Sequence, residues 1–298
     1  MINRRIFIKK SVCAGIGLLA VPVVGCSNGD DPSEEPGKKP DHPAITPDPG
    51  MDLYGSIIDM DGNPVEGVVV SDGFSCTATD GKGIYQMKKD SKAIIVFYST
   101  PSGYEINTTN SSVKAAAFYA AITTVSKRYN FTLKKLPGIE KEFSLMCIGD
   151  PQVANNEDVE RFKKETLPDM KSFIDATDKP CYGLVMGDVT GDQPQYFSQM
   201  KTLMGPTDMP AFVTIGNHDK TGGSAPEPRN GIAFSDVYGP LNYSFNRGEA
   251  HFVCLDNILF TNKDDYSGGF TDNQVEWLRQ DLSYVPKNKL IIVYYHIP

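Results

Sequence analysis

PAFVTIGNHDK, residues 210–220, decides how the second half of this chain is read. It is an apolar run of strand length that stops at Gly216 and hands over to Asn217, His218 and Asp219. Working outward, the same construction recurs. FSLMCIGDPQ (143–152) ends in Gly149, Asp150, Pro151 and Gln152, CYGLVMGDVTGD (181–192) turns polar at Gly187 and Asp188, and KLIIVYYHIP (289–298) brings His296 to a fourth strand end. Between the first two lies a stretch, 156–177, with apolar residues at helical spacing (Val159, Phe162, Met170, Phe173, Ile174) and a kink or split expected at Pro168. A shorter helical stretch runs from Phe197 to Met204. Asp150 to Asp188 and Asp188 to Asn217 are each one βαβ unit apart. Sites in such sheets form at the C-terminal ends of strands. The polar clusters sit at those ends, behind glycines that let the backbone turn sharply beside a ligand.

A single aspartate after a strand is ordinarily a helix cap or a turn residue. Three successive strand ends carrying Asp150, Asp188 and Asn217-His218-Asp219, with His296 on a fourth, gather carboxylate, amide and imidazole on one edge. That is the donor mix of an oxygen/nitrogen metal site. The series resembles calcineurin-like metallophosphoesterases, whose pattern runs D-x-H, G-D-x-x-(x)-D, G-N-H-D, a later H, and G-H-x-H. YGPLNYSFNRGEAHFVCLDN (238–257) and QVEWLRQDL (274–282) resemble connecting elements of the same family.

The resemblance covers residues 141–298. It implies an α/β domain of the αββα-sandwich type that hydrolyses phosphate mono- or diesters with two divalent metals (Mn, Fe or Zn) and a metal-bound hydroxide. By the same resemblance Asp188 bridges the metals, Asp150 and Gln152 complete one side, and Asn217 and His296 the other. His218 would serve the leaving-group oxygen as general acid or cationic stabiliser, and Asp219 would hold its ring in the needed tautomer. Asp192 fits the trailing aspartate of the second motif and is expected to structure the loop.

Two features depart from the pattern. Gln152 stands where most members have histidine; a neutral amide oxygen favours a harder ion, Mn²⁺ or Mg²⁺, over Zn²⁺. No G-H-x-H is present: the four histidines are His42, His218, His251 and His296. His251, inside the strand-like AHFVCLDN (250–257), is expected to be structural. The chain is therefore expected to be a shortened form of a longer enzyme, incomplete at its C-terminus, with an apolar sheet edge left unpaired. A second reading stays open, a catalytically impaired surface lipoprotein acting as a binding or scaffold module.

The N-terminal half reads differently. Residues 51–136 alternate short strand runs with DGNP, SDG and DGKG turns, the pattern of an all-β sandwich. Gly55, DGNPVEGVVV (61–70) and TDGKGIY (79–85) resemble the carboxypeptidase-regulatory, transthyretin-like module, for which structural support is expected and carbohydrate binding is the alternative. Pro137-Gly138 marks the boundary with the domain spanning 137–298. Residues 1–26 are a targeting segment: a basic start, the apolar SVCAGIGLLAVPVV, then VVGC with the form of a lipobox ending at Cys26. NRRIFIK (3–9) also resembles a twin-arginine export signal. Residues 27–50 hold six prolines and almost nothing apolar, so a disordered tether is expected, with His42 solvated. The mature protein is thus expected outside the cytoplasm, held to a bacterial envelope membrane by lipid on Cys26. A net charge of −8 leaves no basic surface for nucleic acid. Cys76, Cys147, Cys181 and Cys254 show no metal-ligand spacing and are expected as buried thiols.

Overall fold

The computed structural model describes residues 40–222 and 228–298. The targeting segment, Cys26 and the tether as far as residue 39 lie outside the described residues. Among the described residues the chain is β-rich, with seventeen strands in five sheets and few helices.

The first half supplies β1 (Leu53–Asp59), β2 (Val69–Ser71), β3 (Cys76–Ala78), β4 (Ile84–Met87), β5 (Ile95–Tyr98), β6 (Thr108–Asn110), β7 (Val113–Ala116), β8 (Tyr119–Ala121) and β9 (Phe131–Leu133). They divide into a three-stranded sheet, β4-β1-β9, and a four-stranded antiparallel one, β3-β2-β5-β8. The turns follow the local chemistry. Asp59 receives the backbone N–H groups of Asp61 and Asn63, and Asp80 those of Lys82 and Ile84, so each carboxylate organises the turn it opens.

Residues 40–50 lie against this half rather than free of it. The ring nitrogens of His42 meet the hydroxyls of Ser56 (2.8 Å) and Thr132 (3.2 Å), and the Arg128 guanidinium donates to the Pro43 carbonyl at 2.6 Å. Burial, and then the nearby Arg128 charge, lower the pKa of His42. Composition alone could not show these contacts, because they are made by groups far away in sequence.

The second half begins with β10 (Ser144–Ile148) and α1 (Asn156–Arg161), capped by the Asn155 side chain on the N–H groups of Glu157 and Asp158. A π turn, Phe162–Thr166, joins it to α2 (Leu167–Ala176). Pro168 sits in the first turn of α2, where its missing N–H costs little, and the π turn takes up the change of register just before it. Phe173, expected on the apolar face, is 51% exposed. β11 (Cys181–Val185), α3 (Phe197–Leu203), β12 (Ala211–Val213) and α4 (Ile232–Tyr238) follow, then β13 (Tyr243–Arg247), β14 (Ala250–Cys254), β15 (Ile258–Phe260), β16 (Tyr266–Gly268), α5 (Asp272–Ser283) and β17 (Leu290–Tyr294). Strands β10, β11 and β12 are parallel neighbours, and β17 is parallel to β14 at the edge of a sheet ordered β13-β14-β17.

The position expected to divide the two halves does not divide the packing. β7, from the first half, pairs in parallel with β12 through Ala115 and Ala211, so one sheet runs β10-β11-β12-β7-β6. One cluster of buried side chains likewise joins Tyr98 and Phe118 to Phe212, Tyr243, Phe245 and Trp277. Phe118 lies 5.4 Å from Phe212 and 5.0 Å from Tyr243, ring centre to ring centre, and Phe212 stacks on Phe245 at 3.9 Å. The buried Trp277 indole donates to Ser71 at 3.0 Å, which satisfies its only polar atom. A second cluster, including Val185, Phe197, Met200, Phe234 and Tyr238, fills the space between the five-stranded sheet and the helices.

Of the cysteines expected to be buried, Cys181 and Cys254 are, Cys76 is partly so, and Cys147 is exposed, because β10 is an edge strand. Leu290, Ile291 and Val293 are exposed along β17. Among the described residues no helix is long and apolar enough to cross a membrane.

Candidate active site

The four polar strand ends meet. Each ends a strand of one of the two sheets, β10, β11 and β12 on one side and β17 on the other, and each turn is held by main-chain bonds. Gln152 N donates to the Asp188 carbonyl at 2.7 Å, which ties the loop after β10 to the loop after β11. Asp150, Gln152 and Asp188 all have left-handed backbone (φ 42, 45 and 46°), a conformation that costs energy in any non-glycine residue and is held by its surroundings.

Asp188 is the centre of the arrangement. Its Oδ1 accepts from the His218 N–H at 2.9 Å, and its Oδ2 faces the Gln152 amide nitrogen at 3.3 Å. Two glycines make room for it. A Cβ on Gly216 would lie 2.1 Å from Asp188 N and Oδ1, and one on Gly187 would lie 2.5 Å from the His296 ring. No side chain fits at either place, which is why glycine precedes the polar residue in both motifs.

His296 donates from Nδ1 to the Met186 carbonyl at 2.7 Å. Its Nε2 then points at two oxygens, Asn217 Oδ1 at 3.1 Å and Asp188 Oδ1 at 3.4 Å, while Asp150 Oδ1 stands 3.8 Å from Nδ1. Burial alone would lower the pKa of this ring. The Asp188 carboxylate and the Met186 carbonyl outweigh burial, with Asp150 adding to them, and raise it to about 9. A nitrogen lone pair facing a carboxylate and an amide oxygen needs a positive charge between them, either a proton or a cation. The residues therefore fit a divalent cation in donor type and convergence. The fit depends on amides as well as charged groups: among the described residues no three His, Cys, Asp or Glu side chains are disposed to hold a metal on their own. Gln152, expected to offer an oxygen, presents its N–H to Asp188 instead.

The partner of the His218 ring is not the one the motif implies. Its Nδ1 lies 2.9 Å from Asp192 Oδ2, and the other Asp192 oxygen pairs with the Arg229 guanidinium. Asp219, expected to hold that ring, is fully buried and turned the other way. It accepts the N–H groups of Val189, Thr190 and Gly216, all at 3.0 Å. Burial pushes its carboxyl up to about 6; those three bonds pull against the rise, and Asp188 adds to it. Asp219 thus knits the turns after β11 and β12 together, and Asp192 takes the role of ring partner. For Asp192, burial is offset by the His218 and Arg229 contacts, and its pKa is lowered.

His251 is placed as the strand pattern suggested. It is buried, with Nε2 2.8 Å from Asp281 Oδ2 and Nδ1 3.0 Å from Asn246 Oδ1, remote from the strand ends. Beside Asp150 and Gln152 opens a polar cleft of about 310 Å³, lined also by Asp158, Arg161, Glu165 and Thr166. The strand-end motifs supply one wall of this cleft, and the sequence carried no signal for the other, which comes from α1 and the π turn.

No curated protein matches the chain. Residues 51–136 match the family model described as N terminal of Calcineurin-like phosphoesterase. The matched segment contains none of the strand ends just described, so the calcineurin-like phosphoesterase family is supported from a part of the chain independent of the site motifs.

Proposed function

We propose that the chain is a metal-dependent phosphoesterase acting on phosphate mono- or diesters. The observation that carries this reading is the convergence of Asp150, Asp188, Asn217 and His296 around one point, with His218 anchored beside it. Asp188, Asp150, Asn217 and His296 would hold two divalent cations, with Gln152 contributing if its amide turns over, and Mn²⁺ is favoured by the oxygen-rich set. When bound, such cations polarise a phosphoryl oxygen and offset its negative charge.

The chain's own residues supply the rest. Asp192 fixes the His218 ring through Nδ1, which leaves Nε2 as the nitrogen that can hand a proton to a departing alkoxide. The buried Asp219 holds the backbone of both turns, so His218 and Asp188 keep their spacing. The cleft beside Asp150 would take the non-reacting part of the ester, and its polar lining suits a polar group.

The test pairs metal analysis with turnover on the purified full chain. About two Mn²⁺ per chain and metal-dependent release of phosphate or alcohol from an ester panel are expected. In His218→Ala turnover should fall by about 10²–10⁴-fold while metal content stays. Metal binding without turnover on any ester would favour the alternative reading, a scaffold that no longer catalyses. Absence of both would overturn the site itself.

Outside the described residues, VVGC (23–26) supports a lipid anchor on Cys26 and a place in the bacterial cell envelope, facing the periplasm or the cell surface. Labelled palmitate should enter the wild-type chain and be absent from Cys26→Ser; equal labelling of both would remove the anchor from the reading.

A further inference from the structure

Arg229 belongs to none of the strand-end motifs, yet the structure builds a seat for it. Its guanidinium lies over the Phe260 ring, 5.5 Å from the centroid, and Phe260 in turn packs on Tyr266 at 5.0 Å across the β15–β16 ribbon. Nε donates to the Lys263 carbonyl at 2.9 Å, and Nη1 reaches both Asp192 Oδ1 and, at 3.4 Å, the Lys220 carbonyl. The Lys220 side chain is itself buried, paired with Asp256 at 2.7 Å, so the segment that Arg229 leans on is fixed. An aromatic ring beneath the cation, two carbonyls met and one carboxylate paired leave the head group little freedom.

Asp192 has two oxygens with two different duties. One takes the Arg229 guanidinium and the other faces His218 Nδ1. Asp192 also has left-handed backbone, φ 59°, on a half-exposed turn, so its side chain needs an external anchor to keep one oxygen on the ring. We infer that Arg229 is a positioning residue that acts through Asp192 to hold the His218 ring with Nε2 turned toward the site. The ordered series is Phe260, Arg229, Asp192, His218: a flat aromatic platform orients a flat cation, which orients a carboxylate, which selects the tautomer. Lysine would keep the charge but has no planar fork to bond Lys263 and Asp192 together while lying over Phe260. The kinetic consequence rests on the phosphoesterase reading; the ring geometry does not.

The experiment therefore has two arms. The first labels histidine with ¹⁵N in the full chain, where four residues give four pairs of ring signals, Nδ1 and Nε2, and compares wild type with Arg229→Gln, Arg229→Lys and Phe260→Leu. Wild-type His218 should hold its neutral-form proton on Nδ1, and Arg229→Gln should move the population toward Nε2–H, with Arg229→Lys between them. An unchanged His218 signal in folded Arg229→Gln overturns the inference, whether or not any ester is turned over. Should Arg229→Gln fail to fold, Phe260→Leu and Arg229→Lys carry the same comparison.

The second arm measures turnover of an alkyl and a nitrophenyl ester. For Arg229→Gln, kcat on the alkyl ester should fall about 10- to 100-fold with KM nearly constant, and the nitrophenyl ester, which needs little proton donation, should lose far less. In a His218→Ala background the same substitution should cost almost nothing. A rise in KM with undiminished cost in that background would make Arg229 a substrate-gripping group instead, and would overturn the inference. Inactivity of wild type on every ester would sink the phosphoesterase reading alone, with the ring signals still deciding Arg229.

Discussion

Asp188→Asn is expected to lose metal binding and turnover together while the chain stays folded. Asparagine is nearly the same shape, tolerates the left-handed backbone that residue 188 adopts, and keeps an oxygen for the His218 N–H. What disappears is the negative charge that faces His296 Nε2 and stands beside Gln152. Turnover should fall by about 10³-fold or more, the scale on which one preorganised electrostatic contact matters in a transition state. Metal content should fall as well, which separates this variant from His218→Ala, where only turnover is lost. Thermal unfolding of the metal-free proteins should nearly coincide. An Asp188→Asn protein that keeps its metals would mean that Asp150, Asn217 and His296 suffice as ligands and that Asp188 serves the fold.

The largest effect on stability is expected away from the site, at the buried pair of Asp281 and His251. Both side chains are almost wholly enclosed. Asp281 Oδ2 meets His251 at 2.8 Å and Oδ1 accepts from Ser244 at 2.7 Å; with its proton given to Asp281, the Ser244 hydroxyl accepts from that of Ser99, 3.0 Å away in the first half of the chain. Asp281→Ala removes the acceptor for two buried donors at once, a loss of about 3–5 kcal/mol in similar buried pairs. It should appear as a clear fall in the urea midpoint. Replacing both members with apolar residues, His251→Phe with Asp281→Leu, should cost less than Asp281→Ala, because the buried imidazole is then not left without its carboxylate and Ser244 still has Ser99 as a partner. If the double variant is the weaker one, the pair contributes more through geometry than through mutual satisfaction.

Much of the site could be read in advance because its signal is local. An apolar run, a glycine and a polar residue occupy consecutive positions, so Gly187-Asp188 and Gly216-Asn217 stand out in the sequence, although the crowding that demands each glycine comes from His296 and Asp188, far away along the chain. His218's partner could not be read this way. Asp219 is next to it in sequence and Asp192 is far away, yet three backbone N–H groups draw Asp219 inward and leave the ring to Asp192. Arg229 was invisible for the same reason: its seat is made of Phe260, Lys263 and Asp192, which no spacing rule connects. Strand identity was legible in the first half, but sheet membership was not. Strands as short as β6 and β7 take their partners from tertiary context, and here the partner is β12. Residues 40–50 show the limit of composition, since proline-rich polar chain was expected to stay loose and the bonds from His42 and Arg128 hold it down.

The pairing of β7 with β12 also sets an order of events during synthesis. The nascent chain releases β6 and β7 from the ribosome well before β12 exists, and Ala115 must wait for Ala211. Until then the ribbon presents an open rim of unpaired N–H and C=O groups. Phe118 likewise waits for Phe212 and Tyr243 before its apolar surroundings close. Such long-range closure is slow compared with local turn formation, so a chain halted before residue 211 should keep this rim open and be prone to pair with other chains.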